Sequence, residues 1–220
     1  MPNLVEVDLS EVDMENIPEY MFNERRGLKK VTLPKNLKTI GESAFRFCES
    51  LESVVIPDGV TSIGDNAFGF CYNMKSVKFP EGLIYMGSNA FYQCYALTTL
   101  ELPSSLKTIS RGAFSDLRNL TSVSMPEQLE TIGDDAFSSC KNLKEILIPK
   151  GTQTIGYTAF GSCNSLEKVT IPASVTAMNN AFAYCENLKE VTCLALVPPQ
   201  VRDGNPFYGG MDMSQRTLYV

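Results

Sequence analysis

Six of the seven cysteines in this 220-residue sequence recur in one register: Cys48, Cys71, Cys94, Cys140, Cys163 and Cys185. A thiol can be oxidised to a disulfide, ligate a metal or attack an electrophile, and each role makes its own demand on the neighbours. No Cys-x-x-Cys pair occurs, and the chain has no histidine at all. A metal set would therefore lack imidazole, and a nucleophile would lack its commonest activating base. Leu117 fills the same register between Cys94 and Cys140. The position therefore asks for apolar volume, and a buried, reduced column of thiols is expected. Stacked parallel Cβ vectors also point the wrong way for a disulfide. Cys193 lies at an inward strand position and takes the same reading.

Other chemistry fares no better. Serines and threonines are many, but none has a histidine to activate it. Asp134 and Asp135 open what reads as a short helical turn, where acidic groups favour the N-terminus. The acidic stretch from Asp8 to Glu19 lacks the glycine spacing of a calcium loop and reads as a solvated first unit. No residue is assigned a catalytic, cofactor-binding or metal-binding role, and the chain is not read as an enzyme.

The register that spaces the cysteines spaces everything else. An apolar residue followed by proline recurs at Leu33-Pro34, Ile56-Pro57, Phe79-Pro80, Leu102-Pro103, Met125-Pro126, Ile148-Pro149 and Ile171-Pro172, each step being 23 residues. Ala44-Phe45 repeats in phase at Ala67-Phe68, Ala90-Phe91, Ala113-Phe114, Ala136-Phe137 and Ala159-Phe160, then one residue early at Ala181-Phe182. Two phase-locked series over so many units identify a repeat architecture.

One unit explains the elements. In Leu51-Glu52-Ser53-Val54-Val55-Ile56 the apolar Val54 and Ile56 alternate with positions 53 and 55, as a half-buried strand requires. Pro57 ends the strand, and Pro57-Asp58-Gly59 has turn chemistry, with glycine free to take positive φ. Val60 and Ile63 return to the core. Gly64-Asp65-Asn66 supplies a break and capping oxygens for a short helical turn, and Asn73 suits the left-handed residue that closes one. Ala67, Phe68, Cys71 and Met74 then face inward.

One such unit buries too little to order itself, so units must stack with their strands parallel. The expected fold is α/β: a right-handed solenoid with one parallel sheet, short helical turns and 23-residue repeats. Residues 1–193 are read as the array and 194–220 as an irregular C-terminal capping unit.

Isoleucine-glycine, two residues, alanine-phenylalanine, two residues, cysteine, two residues, then leucine and the strand: this pattern resembles the BspA-like, Treponema-type leucine-rich repeat. Ile63-Gly64, Ala67-Phe68, Cys71 and Met74 carry it, as do Ile132-Gly133, Ala136-Phe137, Cys140 and Leu143. The resemblance covers roughly residues 4–193. The tail, with Pro198-Pro199, Asn205-Pro206-Phe207 and Leu218-Tyr219-Val220, resembles the closing unit of such proteins. It implies a secreted or surface-anchored bacterial protein that binds host matrix proteins or other cells.

Composition bounds the partner. The net charge is −6 with no basic cluster, which argues against nucleic acid. No apolar run is long enough to span a bilayer. The N-terminus lacks a secretory signal, so the extracellular or cell-surface location rests on the resemblance, with a cytoplasmic one as the alternative. Both ends read as cuts from a longer protein.

The outward strand columns, such as Thr32, Val55, Lys78 and Glu101, are small or charged and offer no aromatic anchor. Beside the cysteine column, however, stand Phe47, Phe70, Tyr72, Tyr92 and Tyr95 in consecutive units. Stacking should gather them into one patch, a candidate contact for a protein or a cell-surface or matrix macromolecule, or for weak self-association. The competing reading packs Phe47 and Phe70 between adjacent turns. A spacer or stalk segment of a larger surface protein is the alternative to a binding module.

Overall fold

A short strand with one wet face and one apolar face is held by pairing along its edges, and successive repeats supply the partners. The computed structural model describes residues 4–197, 199–201, 205–209 and 217–219. Among these described residues eighteen strands run from β1 (Glu6–Asp8) to β18 (Thr217–Tyr219), and the pairing is parallel throughout. The longer strands succeed one another along one wall: β3 (Lys30–Thr32), β5 (Ser53–Val55), β7 (Ser76–Lys78), β9 (Thr99–Glu101), β11 (Ser122–Ser124), β13 (Glu145–Leu147), β15 (Lys168–Ile171) and β17 (Glu190–Cys193). Register follows the repeat, with Ser53 opposite Ser76 and Glu145 opposite Lys168. Val54 and Ile146 point inward from strands whose flanking residues are exposed.

The expected single sheet is divided. Ladder pairing is interrupted between β7 and β9 and again between β11 and β13. The first interruption coincides with Phe79, which stands where other units carry Leu33, Ile56 or Leu102. Its wider ring packs edge-on against Phe91, centroids 5.4 Å apart.

A second ladder was not foreseen. β4 (Thr39–Ile40), β6 (Ser62–Ile63) and their counterparts pair with Ile40 opposite Ile63 and Ile132 opposite Ile155. These pieces have two residues each, too short for any period to register. Pro57 begins a turn closed by the Val60 amide donating to its carbonyl at 3.0 Å. Gly59 does not take positive φ there. It is small because a Cβ would stand 2.8 Å from the Leu37 carbonyl oxygen of the coil below.

The Ala-Phe segments correct the sequence reading: they are turns, and no α-helix occurs among the described residues. Amides alternate in purpose. Those of Ala44, Arg46 and Cys48 donate three residues back, to Gly41, Ser43 and Phe45. Those of Ser43, Phe45 and Phe47 donate to the next coil, at the carbonyls of Asp65, Ala67 and Gly69 (2.7–2.9 Å). A helix would consume all these amides internally and leave this wall with no backbone bonds along the stack.

The alternation needs two left-handed residues per coil, as at Ser43 and Phe47 (φ 52° and 58°) and at Asn66 and Phe70 (φ 54° and 64°). Asp65 and Asp134 are therefore not helix caps. Each carboxylate accepts an amide from the next coil, Ser88 at 2.8 Å and Tyr157 at 2.7 Å. Asp135 is itself left-handed (φ 54°) and accepts the Thr158 hydroxyl. Asn73 is not left-handed; its side-chain amide donates to the Glu49 carbonyl one coil back at 2.9 Å.

Inside, Phe22, Phe45, Phe68, Phe91, Phe114, Phe137, Phe160, Phe182 and Phe207 stack ring on ring, with adjacent centroids 5.1–5.8 Å apart. The cysteines lie beside them, and those at the repeat position are buried. β18 pairs with β17 through Glu190 and Thr217. Within 194–220, residues 198, 202–204, 210–216 and 220 lie outside the described residues.

Candidate partner-binding face

Each thiol of the repeat position does more than fill space. Cys48, Cys71, Cys94, Cys140, Cys163 and Cys185 all donate to the carbonyl of a phenylalanine one coil back, at 3.1–3.4 Å. The carbonyls of Phe22, Phe45, Phe68, Phe137 and Phe160 also accept a turn amide, so there the thiol fills the second lone pair. Sequence reasoning saw only the volume, because Leu117 meets that requirement alone. Burial pushes the Cys48, Cys140 and Cys185 thiols up to about 12 and raises Cys71 and Cys163 well above the ordinary value. Protonated and shielded, these groups are poor nucleophiles and poor metal ligands.

The chemistry of the surface is decided by three outward columns on the turn wall. The residue before each cysteine, or before Leu117, runs Phe47, Phe70, Gln93, Asp116, Ser139, Ser162 and Tyr184. The residue after it runs Glu49, Tyr72, Tyr95, Arg118, Lys141, Asn164 and Glu186. The residue after each core phenylalanine runs Arg46, Gly69, Tyr92, Ser115, Ser138 and Gly161. All five residues singled out from the sequence, Phe47, Phe70, Tyr72, Tyr92 and Tyr95, come together here and are half-buried.

Their contacts are mutual. Phe47 and Phe70 stack with centroids 4.3 Å apart, and Tyr72 and Tyr95 stack at 5.1 Å. Phe70 joins the two pairs by meeting Tyr92 (5.2 Å) and Tyr72 (6.3 Å) edge-on. Phe47 and Phe70 thus do pack between adjacent turns, and they also bind the patch into one unit.

Arginines close both ends, which the sequence reading missed. Arg46 lies 4.6 Å from the Phe47 centroid and 5.1 Å from that of Phe70, and Arg26 approaches Phe47 at 5.8 Å. At the other end Arg118 lies 4.6 Å from the Tyr95 centroid. It grips the buried Asp116 with both forks, at 2.8 and 3.1 Å, and Gln93 donates to the same carboxylate at 2.9 Å. The hydrogen bond and charge of Asp116 raise the Arg118 pKa, so the cation is fixed. Burial, then the Asp116 charge, pushes the Tyr95 phenol up and keeps it neutral. The signal was available: position 46 precedes Phe47, and position 118 is one repeat beyond Tyr95.

The rest of the surface is held differently. Ion pairs link one coil to the next, as in Lys75–Glu52 (2.9 Å) and Lys107–Glu130 (3.0 Å). On the sheet, Val55 and Leu147 stand isolated and exposed.

The repeat geometry has known counterparts. The sequence matches the BspA type leucine rich repeat region in six copies, over residues 1–120 and 107–197. The chain belongs to this BspA-type family. A leucine-rich repeat protein from Bacteroides ovatus is 27% identical with a TM-score of 0.75, the match covering 87% of this chain and 56% of that one. The T. pallidum Leucine Rich Repeat protein (TpLRR) is 30% identical with a TM-score of 0.69, covering 74% of this chain and 78% of that one. This chain thus spans little more than half the length of the Bacteroides protein. No curated protein matches the sequence.

BspA-type repeats are scaffolds of a generally non-enzymatic kind, and the solenoid here has the form of a protein-binding repeat module. No helix among the described residues is long and apolar enough to cross a membrane.

Proposed function

We propose that this BspA-type solenoid is a non-enzymatic adhesion module of a bacterial surface or secreted protein. Its turn wall, through Phe47, Phe70, Tyr72, Tyr92 and Tyr95, contacts a protein or matrix macromolecule. Residues 194–220 serve as the unit that closes the array.

One observation carries the reading. Phe47 and Phe70 hold left-handed backbone (φ 58° and 64°), a conformation that disfavours bulky residues by about 1–2 kcal/mol. Other coils meet the same need with Gln93, Asp116, Ser139 and Ser162, and one with Tyr184, so the fold does not require aromatics there. Strain retained against a cheaper alternative is a mark of a site under functional selection. Tyrosine, phenylalanine and arginine in one cluster also match the composition of interface cores.

The test is to replace Tyr72, Tyr92 and Tyr95 together with serine and to measure capture from host matrix or cell extract alongside self-association by ultracentrifugation. Binding should fall while the circular dichroism stays unchanged. Unchanged capture and unchanged self-association would remove the patch as a site. Failure of the parent chain to retain any partner would favour a spacer role.

A further inference from the structure

Beside the aromatic patch a shallow cavity of about 680 Å³ opens on the turn wall, lined by Arg46, Phe70, Tyr92, Asn66, Asn89 and Arg111, with Ser88, Gly112, Ser115 and Asp135 at its margins. We propose that this cavity binds an acidic sugar, a hydroxyl-bearing ring with a carboxylate of the uronate kind, as part of a glycan. The proposal rests on the reading of the turn wall as the binding face and names what one part of that face recognises.

Charge comes first. Arg46 is half-buried on two aromatic rings, and among the described residues no carboxylate pairs with it. Its column neighbours one coil away are Asn23 and Gly69, neither of which can neutralise it. The Arg46 Nε is buried without a hydrogen-bond partner. Elsewhere on this surface cations such as Lys75 and Lys107 are matched by an acid one repeat away. At the far side of the cavity Arg111 meets Asp135 only at 3.9 Å and is largely exposed. Three coil steps of about 4.8 Å separate these two arginines, so anionic groups spread along a chain would meet both. A planar guanidinium held on rings is preorganised for bidentate carboxylate binding.

The lining between the arginines selects the ligand class. The side-chain amides of Asn66 and Asn89 make no hydrogen bond to the described residues and offer donors and acceptors to hydroxyls. Phe70 and Tyr92 present ring surface for the apolar face of a sugar. Backbone groups here are already spent: the Asn66 amide goes to Ser88, the Asn89 amide to Arg111 and the Phe68 amide to Ala90. An extended peptide would therefore find no strand edge to join, which disfavours an acidic peptide as occupant.

Saturation-transfer and ¹H–¹⁵N NMR on the whole chain would test this with trigalacturonate, using neutral galactotriose and hexaglutamate as comparisons. Trigalacturonate should bind, weaken with added salt, and bind roughly tenfold more weakly or worse to R46Q, as loss of a charge-assisted pair implies. R111Q should weaken it less, and L147S, at an exposed position on the sheet face, should leave it unchanged. Folding of both arginine variants is checked by the same spectra. Equal binding of the neutral trisaccharide, no binding of trigalacturonate, or R46Q binding as well as the parent would overturn the proposal. Tighter binding of hexaglutamate would replace sugar with acidic peptide. A protein partner still captured through Tyr72 and Tyr95, with trigalacturonate inert, would leave the binding face standing and remove only the sugar.

Discussion

The turn wall between Phe45 and Tyr95 and the turn wall between Ser115 and Ser162 share one backbone and differ in almost every outward side chain. In both, alternate amides bond along the stack, as at Phe45 to Ala67 (2.7 Å) and Phe137 to Ala159 (2.7 Å). In both, the core phenylalanines stack at nearly the same spacing, 5.1 Å for Phe45 and Phe68 and 5.5 Å for Phe137 and Phe160. Outside, the first region carries Phe47, Phe70, Tyr72, Tyr92 and Tyr95, while the second carries Ser115, Ser138, Ser139, Gly161 and Ser162. The frame therefore sets position, and the outward columns are free to differ. A functional difference between the two regions has to be written in those columns.

Alkali offers the broadest way to break the shared frame. The folded thiols are raised above the ordinary 9.0 because burial disfavours the thiolate, Cys48, Cys140 and Cys185 to about 12. A group with a raised folded pKa stabilises the fold fully below its unfolded pKa and loses that contribution as pH rises toward the folded one. Stability should thus be insensitive to these thiols up to about pH 9. It should then fall, by on the order of 1 kcal/mol per thiol for each further unit, as pH rises toward about 12. Urea unfolding at pH 8 and pH 10.5 reads this directly. Because the column runs through both regions, they should unfold together, and a midpoint unmoved at pH 10.5 would contradict the burial of the thiols.

Phenylalanine substitutions separate frame from column. Phe91 is buried with stacked neighbours on both sides, and Phe91→Ala should cost about 3–5 kcal/mol. Phe70→Asn loses a half-buried ring but gives its left-handed position a residue that tolerates it. Its net cost should stay within about 1 kcal/mol. Equal costs for the two would mean that the outward aromatics are part of the core after all.

Glycine gives a sharper pair. A Cβ on Gly64 would stand 2.6 Å from the Glu42 amide nitrogen of the coil below, whereas on Gly69 its nearest neighbour is 3.4 Å away. Gly64→Ala should therefore cost about 1–3 kcal/mol by forcing coils apart. Gly69→Ala should change stability by about 0.5 kcal/mol or less, as an ordinary tolerated substitution. The glycine of the isoleucine-glycine motif is needed for close approach; the glycine of the outward column is not.

These contrasts explain how much could be read from residues alone. The 23-residue register, the parallel stacking, the inward Val54, Phe68 and Cys71 and the gathering of the five aromatics all follow from periodicity, and the structure has them. The turns escaped because Ala67, Phe68 and Cys71 at spacings of three and four also fit a helix, and the deciding fact is where the Phe68 amide goes. It goes to Ala90, a bond between coils that no local pattern records. The thiol bonds escaped because Leu117 conceals them, and the second ladder because Ser62–Ile63 is too brief to alternate. Arg46 and Arg118 escaped because charged residues on a repeat surface ordinarily read as solvated. Only the rings beneath them show otherwise.

Arg118 should show a small effect on stability and the clearest division of roles. It is about half exposed, so its pair with Asp116 contributes modestly, and Arg118→Gln should cost about 1 kcal/mol or less in urea unfolding. Gln93 still holds the Asp116 carboxylate at 2.9 Å in that variant, so the buried acid is not abandoned. Tyr95, however, loses the cation over its ring, and the patch loses its fixed charge at that end. Partner capture should therefore drop well beyond what the stability change implies, because arginine and tyrosine in contact are the pairing that interface energetics favour. A variant that loses both in proportion would instead mark Arg118 as one more rivet between coils.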